Sequence, residues 1–260
     1  MKNKHFFLTI FFLCLLLGAN AQEIRPNFPN GFHLGMVQTI SVAPAMSVIP
    51  DGNSLSTLRS KAAFGGKIGI ECSYHFAKYF GFSIGLDYGT CLQYNLKEFD
   101  AAGNLFDNKR WPLKSVRLAD FLIPVKFEFH YPVSKSILFY GSLGVNLKNI
   151  YVLSPQTGNI IYGGLHNGTS LYINMKEYER FGADLLMSMG IYYRLPYNDL
   201  LRFGIAANLA FRDKLQGYYQ FQNEGNAGGT LSYRHNHIGF EFGYIHCFRT
   251  KEQKAARNGK

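Results

Sequence analysis

Charge is scarce in this chain. Asp, Glu, Lys and Arg make up 17 % of its 260 residues, which is thin for a soluble helical enzyme. Cysteine is scarcer still: Cys14, Cys72, Cys91 and Cys247, with no C-x-x-C pair. Cys14 lies in an N-terminal leader. The three that remain, odd in number and without ligand spacing, argue against a disulfide framework or a cysteine zinc site. Three buried thiols are the expectation, with a Cys91–Cys247 bridge as the open alternative. After residue 21 no apolar run reaches the ~20 residues that a membrane helix needs. Trp occurs once, against 23 Phe and 17 Tyr, and Gly occurs 27 times. What remains is the composition of aromatic-rich strands separated by turns.

The first 21 residues read as a secretory signal. Lys2 and Lys4 form a positive start, Phe6 to Leu17 is apolar, and Ala19-Asn20-Ala21 is an A-x-A cleavage site. The mature chain then begins near Gln22. Losing Lys2 and Lys4 lowers the formal net charge from +10 to +8.

The pattern is plainest from Asp120 to Val133. Phe121, Ile123, Val125, Phe127, Phe129 and Tyr131 alternate with Asp120, Leu122, Pro124, Lys126, Glu128 and His130. One set is apolar and the other carries the charge, the period of a two-faced strand. Ten such residues at ~3.3 Å each span roughly 30 Å, longer than a usual globular strand and suited to a tilted bilayer crossing. The same alternation predicts strands over 32–42, 63–75, 81–94, 137–152, 180–194, 201–211 and 233–248. That makes eight. The connections alternate long and short, which places long loops (about 43–62, 95–116, 154–179 and 213–232) at one end and tight turns with both termini at the other. An all-β, eight-stranded antiparallel up-and-down transmembrane β-barrel has this plan. The predicted organisation is a signal peptide over 1–21, a barrel over 22–249 and a basic tail over 250–260.

A soluble lipocalin-like barrel would put the apolar face inside. Three features favour the inverse. The apolar faces are nearly free of charge. The polar faces are rich in glycine, as a narrow and crowded lumen requires. Aromatics recur near strand ends, at Tyr74, Phe76, Tyr79, Tyr94, Tyr131, Tyr193, Tyr197 and Tyr244, where girdles belong. The polar faces carry both signs, in Lys67, Glu71, Asp87, Lys126, Glu128, Asp184, Arg202 and Glu241. Buried ions demand partners, so these eight are expected to form a lumen charge network that closes the tube to a water column.

The chain resembles the small outer-membrane barrels of Bacteroidota, the PorT-like barrel family. The resemblance rests on the signal ending Ala19-Asn20-Ala21-Gln22, on Leu122-Ile123-Pro124-Val125 followed by Lys126, and on the alternating final strand. It implies a place in the outer membrane with long loops outward and both termini periplasmic. It also implies partners among outer-membrane lipid and envelope or secretion proteins. Phe248 would be the terminal aromatic of such a barrel, but residues 249–260 continue with five basic side chains and one Glu, a basic periplasmic tail.

Candidate chemistry is sparse. Glu128 with His130, at i, i+2, and Glu71 with His75, at i, i+4, share lumen faces, and His235 with His237 lies near a strand end; hydrogen-bonded and ion-paired lumen partners are the expected reading, with a metal or acid–base pair as the alternative. Ser232, His235 and His237, or His166, Asn167 and Ser170, supply residue types of an acyl-transfer triad. No catalytic, cofactor or metal residue is assigned, and nothing points to nucleic acid. The expectation is a non-enzymatic barrel acting as a scaffold for its loops or as an accessory of envelope machinery, with a narrow channel or a lipid-modifying enzyme as alternatives.

Overall fold

The computed structural model describes residues 31–51, 56–94, 96–100, 116–152, 158–162, 170–177, 181–195, 199–222 and 227–248. The signal peptide, the basic tail and His166 and Asn167 lie outside these. In chain order the strands are β1 Gly31–Ala43, β2 Ser47–Pro50, β3 Ser56–Ser60, β4 Ala63–His75, β5 Phe80–Tyr94, β6 Leu96–Asp100, β7 Val116–Pro132, β8 Ile137–Val152, β9 Gly158–Tyr162, β10 Ser170–Glu177, β11 Phe181–Arg194, β12 Leu200–Ala210, β13 Asp213–Gln222, β14 Gly228–Arg234 and β15 His237–Cys247.

Eight of them close into an antiparallel barrel in the order β1-β15-β12-β11-β8-β7-β5-β4. Closure is made by β1, which pairs with β15 from His33↔Cys247 to Val42↔Ile238 and with β4 from Gly31↔His75 to Ala43↔Ala63. A closed sheet leaves no unpaired edge. The start of β1 and the end of β15 meet at one rim, where the Phe248 N–H donates to the Phe32 carbonyl at 3.2 Å. The short turns β4–β5, β7–β8 and β11–β12 lie at this same rim, here called the turn end. In the β7–β8 turn Ser134 Oγ accepts from the N–H groups of Ser136 and Ile137. Beside the β11–β12 turn, half-buried Asp199 accepts from Tyr244 Oη at 2.5 Å and from the Cys247 N–H at 3.3 Å.

The alternation decides which face is out. Phe32, Met36, Ile70 and Phe240 are 60 %, 57 %, 61 % and 64 % exposed, while their neighbours His33, Val37, Glu71 and Glu241 are buried. The apolar set therefore covers the outside of the barrel and the charged set fills the inside. Aromatic rings gather at both rims of this outer surface. Phe32 and Tyr74, Tyr79 and Tyr131, and Phe80 and Phe129 pack at the turn end. Phe64, Phe181 and Phe211 stand exposed at the other, with Tyr88 against Phe121. From Phe64 to Tyr74 on β4, ten residues at ~3.3 Å and a tilt of about 40° give an apolar band roughly 25 Å tall.

The long connections depart from the sequence expectation. The stretches predicted as loops fold into a second, five-stranded sheet, β2-β14-β13-β10-β9, and a two-stranded ribbon, β3-β6. The sheet sits beyond the end of the barrel opposite the turns and has its own apolar core. Leu171, Ile173, Leu215, Tyr219, Phe221, Leu231 and Tyr233 pack there with Met46, Leu58 and Ala43. The predicted final strand, 233–248, is in fact two. It breaks at His235-Asn236, where the Asn236 N–H turns back to the Arg234 carbonyl at 2.7 Å and Asn236 Oδ1 accepts from the Ala210 N–H at 2.7 Å. The break lets the chain pass from the outer sheet into the barrel wall.

The cysteines need one correction. Cys72 is exposed, because it shares the outward face of β4 with Ile70 and Tyr74; Cys247 is buried, and both are free thiols. The Cys91 side chain lies outside the described residues. Its place in β5 is toward the end opposite the turns, whereas Cys247 closes β15 at the turn end.

Candidate functional site

The barrel interior is stacked in three layers, because lumen-facing residues recur at every second position on eight staggered strands. All eight charged residues singled out from the sequence point inward and are buried.

The layer farthest from the turns holds Lys67, Asp87, Asp120, Lys148, Asp184, Asn146, Asn208, His235 and His237. Lys67 Nζ pairs with Asp87 Oδ2 at 2.9 Å, and Lys148 pairs with Asp184. His235 has left the strand and hangs into this layer, with Nε2 2.7 Å from Asp120 Oδ2 and Nδ1 3.5 Å from Asp184 Oδ2. Asn208 Nδ2 donates to Asp184 Oδ2 at 2.8 Å and to the His235 carbonyl at 2.9 Å. Asn146 Nδ2 donates to Asn208 Oδ1 at 2.8 Å.

The middle layer is centred on Arg202, which is fully buried. Its Nη1 donates to Glu71 Oε1 at 3.1 Å, Nη2 donates to Ser188 Oγ at 3.2 Å, and Nε lies 2.5 Å from Glu241 Oε1. The guanidinium also lies 4.5 Å above the Tyr140 ring, whose Oη donates to Glu241 Oε1 at 3.0 Å. Lys126 pairs with Glu71. These contacts cross the lumen: β12 meets β4, and β7 meets β4 although β5 stands between them in the wall. Glycine makes room for them. A Cβ on Gly204 would overlap the Tyr140 hydroxyl.

The layer nearest the turns is aromatic and histidine-rich. His33 Nδ1 and His75 Nδ1 are 2.6 Å apart. Glu128 Oε2 lies 3.5 Å from His75 Nε2 and 3.3 Å from His130 Nε2, and Ser83 Oγ donates to Glu128 Oε1 at 3.0 Å. Tyr140 and Tyr192 pack against each other at 4.7 Å between ring centroids, above Leu138, Leu200 and Ile245.

Among the described residues, the barrel strands thus bury six carboxylates (Glu71, Asp87, Asp120, Glu128, Asp184 and Glu241) against four Lys and Arg side chains, Lys67, Lys126, Lys148 and Arg202. Asp120 and Lys148 were on the polar parity of their strands but outside the eight network residues. His33 and Tyr192 were passed over altogether, although each sits one residue from an outward aromatic, Phe32 and Tyr193, which is the signal that would have placed it inside. The residue types of a triad do not converge around His235. Its two ring nitrogens face carboxylates, while Ser232 sits in the outer sheet opposite Gln216 and Ser47.

No protein-family model matches this sequence, and no curated protein does. Among solved structures the chain is similar to the outer membrane protein OprG from Pseudomonas aeruginosa, at 13 % identity, 86 % of this chain and 99 % of that one, with a TM-score of 0.49. It is also similar to the outer membrane protein AlkL, at 11 % identity, 89 % and 97 % coverage and a TM-score of 0.40. The translocator domain of the autotransporter NalP from Neisseria meningitidis is similar at 11 % identity, 93 % and 96 % coverage and a TM-score of 0.29. Likenesses this distant carry no weight beyond the strand pairing itself, so the functional reading rests on the barrel's own surfaces and lumen.

Proposed function

We propose that this chain is an integral barrel of the bacterial outer membrane and a non-enzymatic scaffold. Its outer sheet is the surface offered to partners among envelope or secretion proteins. The membrane placement is supported by a continuous apolar exterior about 25 Å tall with an aromatic rim at each end, the dimensions of a lipid-facing belt. In this orientation the second sheet projects outward from the cell and both chain termini lie in the periplasm. The PorT-like resemblance fits the same placement.

The observation that carries the scaffold reading over the channel is the middle layer. Arg202, Lys126, Glu71 and Glu241 bridge opposite walls, and Tyr140 and Tyr192 fill the space beside them. A wet pore would leave these groups hydrated; here they satisfy one another. Planar-bilayer recording tests this. Wild type is expected to give no conductance above background. A steady conductance that changes when Lys126 or Glu128 is neutralised would establish a channel instead.

The enzyme reading is tested by lipid analysis. Cells producing the protein are expected to keep unchanged lipid A and phospholipid acylation. An altered acyl pattern that disappears with His235→Ala would overturn the non-enzymatic reading. A deletion strain tests the accessory role, with loss of secreted cargo expected while other outer-membrane barrels assemble normally.

A further inference from the structure

We propose that the turn end of the lumen holds a divalent transition-metal site, of the zinc type, formed by His75, His130 and Glu128 and oriented by His33. The ligand atoms of His75, Glu128 and His130 all lie within 4.8 Å of one another, and all three residues are buried. They come from β4 and β7, which flank β5: His75 and Glu128 stand on either side of Gly81, whose missing side chain leaves them room to meet.

The distances suit a metal site. Charge-assisted N–H···O bonds to a carboxylate are ~2.7–2.9 Å long. Glu128 Oε2 stands instead 3.3 Å from His130 Nε2 and 3.5 Å from His75 Nε2. A tetrahedral site with metal–ligand bonds of about 2.0–2.1 Å has ligand–ligand edges of roughly 3.3–3.4 Å. The 3.3 Å separation falls on such an edge and the 3.5 Å separation is slightly longer. Two imidazoles and one carboxylate are also the donor set of known three-ligand zinc sites, with a fourth position left to water.

The surroundings orient the ligands. His75 turns its far nitrogen, Nδ1, to His33 Nδ1 at 2.6 Å. A proton on His75 Nδ1 donated to His33 leaves the Nε2 lone pair facing Glu128 and His130, the outer-shell arrangement usual for a metal-bound histidine. Ser83 Oγ holds Glu128 Oε1 at 3.0 Å, which turns Oε2 toward the imidazoles. Gly81 pairs with His75 across β5, and a Cβ there would overlap the His75 ring. Tyr192 packs on His130 at 5.6 Å between ring centroids.

The test uses the full mature chain, folded in detergent micelles and stripped with a chelator. Titration with Co²⁺ is expected to give one ion per barrel and the visible bands of a four-coordinate site, displaced by Zn²⁺. His75→Ala and His130→Ala should abolish the bands, and His33→Ala should weaken binding by roughly 10–100-fold. His246→Ala, at an exposed histidine, should leave binding unchanged. Folding of each variant is followed by the mobility of unboiled protein. A second readout needs only wild type: Zn²⁺ should raise the temperature at which the folded band converts to the unfolded one. Absence of both stoichiometric binding and a Zn²⁺-dependent rise in wild type would overturn the proposal, as would full Co²⁺ binding in folded His130→Ala.

Discussion

Arg202 is the residue on which the lumen turns. It is buried without remainder and contacts groups from β4, β8, β11 and β15: Glu71, Tyr140, Ser188 and Glu241. Removing one member of such a network strands the others as unpaired buried charges, which costs ~3–5 kcal/mol. Arg202→Ala is therefore expected to lower the unfolding free energy in urea by about that amount. Adding Glu241→Gln to Arg202→Ala removes one of the stranded charges. The double variant should be less destabilised than the sum of the two singles, with a coupling of ~0.5–3 kcal/mol. Additive losses would mean that the two side chains do not share a network. Sequence parity shows that Arg202 points inward, because Leu201 and Phe203 point out. It cannot show which anion Arg202 meets, since partners across a lumen are fixed by strand order and stagger, and these emerge only on closure.

The elements divide into two systems with separate cores. Across the barrel wall, depth decides what a charge costs. Ile70 sits near the middle of β4 and Phe64 near its rim. Ile70→Arg is expected to cost ~2–4 kcal/mol and Phe64→Arg ~0–1 kcal/mol for unfolding from lipid vesicles. Equal and negligible costs would place both residues in water. In the outer sheet, Phe221 is fully buried between Tyr219 and the apolar residues of β10 and β14. Phe221→Ala should open this sheet to protease while the heat-resistant barrel band persists; loss of both together would show one cooperative unit. At the turn end, burial raises the Asp199 carboxyl, but hydrogen bonds from Tyr244 and the Cys247 N–H, with His246 beside it, outweigh burial and hold it below the ordinary carboxylate range. Such a group stabilises the fold above its unfolded pKa of about 3.9 and ceases to as pH falls through the lower folded value. The stability gap between wild type and Asp199→Asn is thus expected to be full above about pH 4 and to close on further acidification. The outer sheet was the part least legible in the sequence. β10 reads Ser-Leu-Tyr-Ile-Asn-Met and β13 ends Tyr-Tyr-Gln-Phe-Gln, so alternation is present. Flanking Gly, Asn and Asp made both look like loop, and strands that pair only with other long connections have no barrel neighbour to announce them.

For the whole molecule, the central claim is that the apolar face is the outside of a closed barrel and meets lipid. The eight barrel strands were legible because alternation runs along each, from Phe32 to Val42 on β1 as from Ile238 to Tyr244 on β15, with a register shift between Gly89 and Leu92 where β5 pairs with β7. Their ends were legible because tight turns such as 133–136 interrupt that parity abruptly. The lumen's ionic character was legible residue by residue, but not its pairing, nor the swing of His235 off the wall, which depends on a strand interruption at His235-Asn236 that alternation does not record. The most direct measurement is the mobility of purified mature protein, boiled and unboiled, after refolding with and without detergent, alongside circular dichroism of the same samples. A compact, heat-modifiable β-rich form that appears only with detergent or lipid is the expected result. A folded β-rich protein that stays soluble without any amphiphile would contradict the account, because the exposed belt from Phe32 to Phe240 would then have to be covered by something other than lipid.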